Sequence, residues 1–82
     1  MNTLRIVKEI TEKLVCYVEY HIYDSTVNNK DTMVLELLLG QSLDSTQWEN
    51  LLKILDEYDL KILDLGIHGY DDGLYIDIIE KR

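Results

Sequence analysis

Apolar residues along this 82-residue chain change period twice in the same way, from helical spacing to strict alternation and back again. That double switch restricts the fold more than any composition value does. From Thr3 to Lys13, the residues Leu4, Ile6, Val7 and Ile10, continued by Leu14, share one helical face, with Arg5, Lys8, Glu9 and Glu12 between them. The spacing predicts an amphipathic helix capped by Asn2 or Thr3. Leu14 to Asp24 then alternates, with Leu14, Cys16, Val18, Tyr20 and Ile22 on one side and Val15, Tyr17, Glu19, His21 and Tyr23 on the other. This predicts a long strand rich in β-branched and aromatic residues. Ser25 to Asp31 reads as a polar loop, and Met33 to Leu39 as a second strand ended by Gly40 and paired with the first as a hairpin.

The second half repeats the order. Asp44 and Gln47 have the spacing of a capping box, and Leu43 and Trp48 that of the hydrophobic staple outside it. The helix they open is expected to bury Trp48, Leu51, Leu52, Leu55 and Tyr58 and to wet Glu49, Asn50, Lys53, Asp56 and Glu57. Leu60 to His68 and Leu74 to Glu80 read as two further strands around the turn Gly69-Tyr70-Asp71-Asp72-Gly73, with Leu63, Leu65 and Ile67 joining Leu74, Ile76 and Ile78 on the core side. Aligned by position, Ile6, Val7, Lys8 and Ile10 of the first half match Leu51, Leu52, Lys53 and Leu55 of the second, in pattern more than identity. The expected fold is α+β, a single domain over residues 1–82. It is a two-layer sandwich of αββαββ order, with two helices on one face of a four-stranded, mainly antiparallel sheet. That order is a circular permutation of the ferredoxin-like β-α-β-β-α-β order, and fold alone assigns no function.

Charge narrows the partners. Sixteen acidic and eight basic side chains leave a net charge of −8, which opposes direct binding to nucleic acid or to an anionic membrane surface. Residues 1–43 contribute −2 and residues 44–82 contribute −6. The single cysteine, Cys16, excludes an internal disulfide, and apolar runs such as Leu37-Leu38-Leu39 are far short of a membrane span. A soluble cytoplasmic protein is expected on that basis.

No arrangement of residues supplies chemistry or a cofactor site. His21 and His68 lie on different strands, and Cys16 points to the opposite face from His21, so neither a zinc site nor a Cys-His nucleophile pair assembles. The Asp71-Asp72 turn lacks the further carboxylate that two-metal chemistry needs and the alternating ligands of an EF-hand. No glycine-rich phosphate loop occurs. No catalytic residue, metal ligand or cofactor is therefore expected, and the chain reads as a non-enzymatic module.

The sheet face away from the helices collects tyrosines and acids: Tyr17, Glu19, His21 and Tyr23, then Val34, Glu36 and Leu38, then Ile62, Asp64 and His68, then Tyr75, Asp77 and Ile79. The partner-binding residues expected are Glu19, Tyr23, Glu36, Asp56, Glu57, Asp64, Asp71, Asp72, Tyr75 and Asp77. The partner expected is a protein with a basic surface, in the concrete case a nucleic-acid-binding protein whose site this chain occupies. Such an inhibitor or modulator is a nucleic-acid mimic of the anti-defence kind encoded by phages and mobile elements. The competing expectation is a scaffold subunit that self-associates, as a homodimer or larger, through its outer sheet face or strand edges, with acidity serving solubility alone.

Overall fold

The computed structural model describes residues 1–68 and 73–81. Helix α1 (Thr3–Leu14) forms where the apolar stripe demands it, since Ile6, Val7, Ile10 and Leu14 recur at three- and four-residue intervals and all four are buried. Asn2 is the cap, its side chain accepting the Arg5 N–H at 3.4 Å, a long contact. The helix includes Leu14, which the alternating pattern assigns to a strand. Burying that side chain against the core stabilises by roughly 1.5–3 kcal/mol relative to exposing it, more than a strand preference supplies. The helix stops at Val15, whose φ of 52° is left-handed.

Strand β1 (Val18–Val27) therefore begins at Val18 and runs into the segment expected to be a loop, taking Ser25, Thr26 and Val27. It joins β2 (Lys30–Leu39) through Asn28 and Asn29, with φ of 52° and 63°. A two-residue hairpin turn needs positive φ at both central positions to match the twist of its strands, and asparagine tolerates that region better than most residues. The hairpin register runs from Val27 opposite Lys30 to Val18 opposite Leu39.

Helix α2 (Ser45–Glu57) opens on the expected box. The Gln47 N–H donates to Asp44 Oδ1 at 2.8 Å and the Asp44 N–H donates to Gln47 Oε1 at 3.0 Å. Gln47 Nε2 also donates to the Leu14 carbonyl at 2.8 Å, which ties the start of α2 to the end of α1. Leu43 and Trp48 pack against the core as a staple should. The buried stripe differs in one member. From Leu51 the same-face neighbours are Ile54 and Leu55, and these three are buried, whereas Leu52 is 52% exposed.

With β3 (Leu60–His68) and β4 (Gly73–Glu80) the sheet has the order β1-β2-β4-β3, antiparallel throughout. Both helices pack on one face, over Leu35, Leu37, Leu39, Ile76 and Ile78. An irregularity in β3 between Ile62 and Asp64 changes the phase of that strand: Ile62 pairs with Ile78 on the helix side, and Asp64 pairs with Asp77 on the open side. The expected assignment is thereby reversed at two positions, since Ile62 packs against the core and Leu63 is exposed. Leu65 and Ile67 keep the helix-side phase opposite Ile76 and Leu74 but are 47% and 76% exposed, because β3 is an edge strand and the helix layer covers only its start. Among the described residues no helix is long and apolar enough to cross a membrane.

Candidate partner-binding surface

The hairpin registers set the open face in rows that cross all four strands. One row reads Glu19, Leu38, Tyr75, Gly66, and the next reads His21, Glu36, Asp77, Asp64. Directly opposed residues on antiparallel strands have Cβ atoms about 4.5–5.5 Å apart, so Glu36, Asp77 and Asp64 stand as three neighbouring carboxylates. Like charges in that arrangement oppose folding unless something compensates them.

Two tyrosines provide part of the compensation. Tyr23 on β1 donates its hydroxyl to Asp77 Oδ2 on β4 at 2.9 Å. Because β2 lies between those strands, and neighbouring strands are about 4.8 Å apart, the side chain must lie across β2 to reach. Val34, the β2 residue opposite Tyr23, is fully buried although it faces away from the helices. Tyr75 leans the same way by one strand, donating to Asp64 Oδ2 at 3.2 Å. It crosses Gly66, where an added Cβ would stand 2.8 Å from Tyr75 Cε1. A glycine at that position is what allows the ring to lie down. Asp64 Oδ1 additionally accepts the Leu65 N–H at 2.9 Å.

Asp77 ends up 7% exposed, the one buried charged side chain among the described residues, and its Oδ1 atom has no hydrogen-bond partner there. The hydrogen bonds that reach Asp77 and Asp64 come from neutral groups, two hydroxyls and an amide. The field of the carboxylates is visible in the tyrosines. Burial, the hydrogen bond to Asp77 and the charges of Asp77, Glu36 and Asp64 push the Tyr23 phenol up to about 12. Tyr75 is raised chiefly by its hydrogen bond to Asp64 and then by that residue's charge.

The expected site residues thus divide. Glu19, Tyr23, Glu36, Asp64, Tyr75 and Asp77 share the open face. Asp56 and Glu57 lie on α2, in the layer on the other side of the sheet. Asp56 is bound to Lys81 at 3.0 Å and borders a groove of about 480 Å³ whose apolar floor, including Leu55, Leu60 and Ile62, is flanked by Lys53, Lys61 and Lys81. Asp56 is therefore locally balanced by lysine, and neither it nor Glu57 extends the acidic sheet face. Asp71 and Asp72, with the turn between β3 and β4, fall outside the described residues. Val34 and Ile79 lie on this face as expected, but their burial and that of Asp77 escape sequence reasoning. The one available signal is the alternation that places Val34 and Ile79 among acids on a face otherwise open to water.

Among the described residues no group of three or more His, Cys, Asp or Glu side chains is arranged to hold a metal ion. Carboxylates strung across three strands do not converge on one point. Cys16 packs against the helix-side core, where burial pushes its thiol up, and is separated by the sheet from His21. No protein-family model matches this chain, and no curated protein or solved structure matches it either.

Proposed function

We propose that this chain is a small acidic binding module whose open sheet face occupies a basic surface of a partner protein, acting as an inhibitor or modulator in the manner of a nucleic-acid mimic. The observation that carries the reading is Asp77, a carboxylate buried beside two other acids, one of whose oxygens has no donor among the described residues. An isolated buried charge opposes folding by several kcal/mol unless paired, so a cation arriving from outside gains what the free chain forgoes. A net charge of −8 adds long-range attraction for a basic partner.

Displacement of a labelled DNA duplex from a panel of unrelated basic DNA-binding domains tests this. The native chain is expected to release the duplex, more strongly at 50 mM than at 300 mM salt as screening requires. A Glu36→Gln, Asp64→Asn, Asp77→Asn triple variant loses the effect, and an Asp56→Asn, Glu57→Gln double variant keeps it. Failure of the native chain to displace DNA from any of the domains at low salt contradicts the reading.

A second reading has its own observation. Leu65 and Ile67 are exposed beside the unpaired edge of β3, and such an edge is a template for pairing with another copy. Self-association through β3 predicts a dimer in light scattering after size exclusion that an Ile67→Lys substitution dissolves. A monomer at high concentration contradicts it.

A further inference from the structure

The open face is specific in what it lacks, which is donors aimed at one buried carboxylate oxygen between two further acids. Resting on the binding role above, we propose that the group it takes from its partner is an arginine guanidinium, seated against Asp77 and flanked by the rings of Tyr23 and Tyr75.

Three features select a guanidinium over other cations. The carboxylates of Asp77 and Asp64 stand on directly opposed residues, and both tyrosine hydroxyls end there, at Asp77 Oδ2 and Asp64 Oδ2. A planar fork with five N–H donors can serve carboxylates on neighbouring strands at once, whereas an ammonium is a point charge that serves one of them well. Second, the flanking surfaces are aromatic faces lying along the sheet, against which a guanidinium stacks while its edge remains free to hydrogen-bond. Third, the acceptor is buried, so the incoming cation must leave its water, and a guanidinium is more weakly hydrated than an ammonium. A metal ion is disfavoured by the spacing of the acids across separate strands.

Access runs through Tyr23. Tyr23 is 39% exposed and is held at its tip by the Asp77 bond, so a guanidinium that replaces the hydroxyl as donor lets the ring lift and pack against it. The tyrosine acts as a place-holder for the ligand: a neutral donor keeps one oxygen of Asp77 satisfied until a charged one arrives.

The test uses the whole chain and three end-capped octapeptides that differ only in carrying three arginines, three lysines or three citrullines, with affinity read by calorimetry at 50 mM salt. The arginine peptide is expected to bind at least tenfold more tightly than the lysine peptide, with no measurable binding of the citrulline peptide. Asp77→Asn is expected to bring arginine down to the lysine level. Asp64→Asn, at an exposed and independently substitutable carboxylate, narrows the preference as well. Equal affinity for arginine and lysine overturns the guanidinium assignment and leaves a basic partner held by charge alone. Binding of neither peptide overturns the binding role itself. An arginine preference that survives both substitutions overturns the placement at Asp77. Circular dichroism of each variant shows that the folded chain is what was titrated.

Discussion

Asp77→Asn is expected to make the protein more stable while removing its preference for arginine. The substitution keeps the shape of the side chain, and its amide oxygen can still accept the Tyr23 hydroxyl, so no cavity forms. Two penalties disappear. Like charges directly opposed across strands cost about 0.2–1 kcal/mol each, and Asp77 has such neighbours in Glu36 and Asp64. A buried polar atom without a partner costs about 1–3 kcal/mol, and Oδ1 is replaced by an amide NH₂ that can donate to either flanking carboxylate. Because these contributions overlap, the net gain expected is about 1–3 kcal/mol. A domain of this size shifts its Tm by about 4–8 °C per kcal/mol, so a rise of roughly 5–20 °C follows at pH 7 in reversible thermal unfolding followed by circular dichroism. An unchanged or lower Tm for Asp77→Asn at pH 7 refutes the reasoning, because it would mean that Asp77 is compensated within the free chain.

Four further expectations concern the frame that holds this face. Val15→Gly should stabilise the fold by about 1 kcal/mol, since a β-branched residue held at φ 52° costs about 1–2 kcal/mol that glycine does not, partly offset by glycine's greater freedom in the unfolded chain; chemical denaturation measures it. Asp44→Ala should destabilise by about 1 kcal/mol through loss of the cap, with the denaturant slope unchanged. Alkaline stability should fall between pH 10 and 12, because the unfolded chain releases the Tyr23 proton near 10 while the native state holds it to about 12; Tyr23→Phe should flatten that part of the pH profile, although Tyr58, raised by its hydrogen bond to Glu9, and Tyr75 preserve some slope. Gly66→Ala should lift the Tyr75 ring off β3 and break its bond to Asp64, seen as Tyr75 titrating closer to its ordinary value in the ultraviolet absorbance of the phenolate.

How much of this could be read from the chain depends on how local the cause is. The Asp44–Gln47 box and the Leu43–Trp48 staple act within one helical turn, so their spacing alone located α2. The two-layer order followed from periodicity, because amphipathic helices and alternating strands have few ways to bury their apolar sides. Leu14 satisfies both periods at once, and only its burial in the core decides between them. The Asn28-Asn29 turn was masked by its polar flanks, Ser25, Thr26, Lys30 and Asp31, which pair as strand residues only because the hairpin register carries them. The irregularity near Leu63 has no signature in composition, and it exchanges the faces of Ile62 and Leu63. The site was half legible for the same reason. Alternation placed Glu36, Asp64, Asp77, Tyr23 and Tyr75 on one face, but charge counting also grouped Asp56 and Glu57 with them, and the sheet separates those two from the rest. Burial of Asp77 depends on tyrosine rings that cross neighbouring strands, an arrangement fixed by strand order rather than by any segment's own sequence.

This open face is where a cationic partner is expected to bind. Titrating the arginine octapeptide into the ¹⁵N-labelled chain and following amide shifts tests it most directly. Saturable shifts are expected at Tyr23, Glu36, Asp64, Tyr75 and Asp77, with Asp56 and Glu57 on the far layer unmoved. Shifts concentrated on α2 around Asp56 and Glu57, with the β2 and β4 amides at Glu36 and Asp77 unchanged, would contradict it.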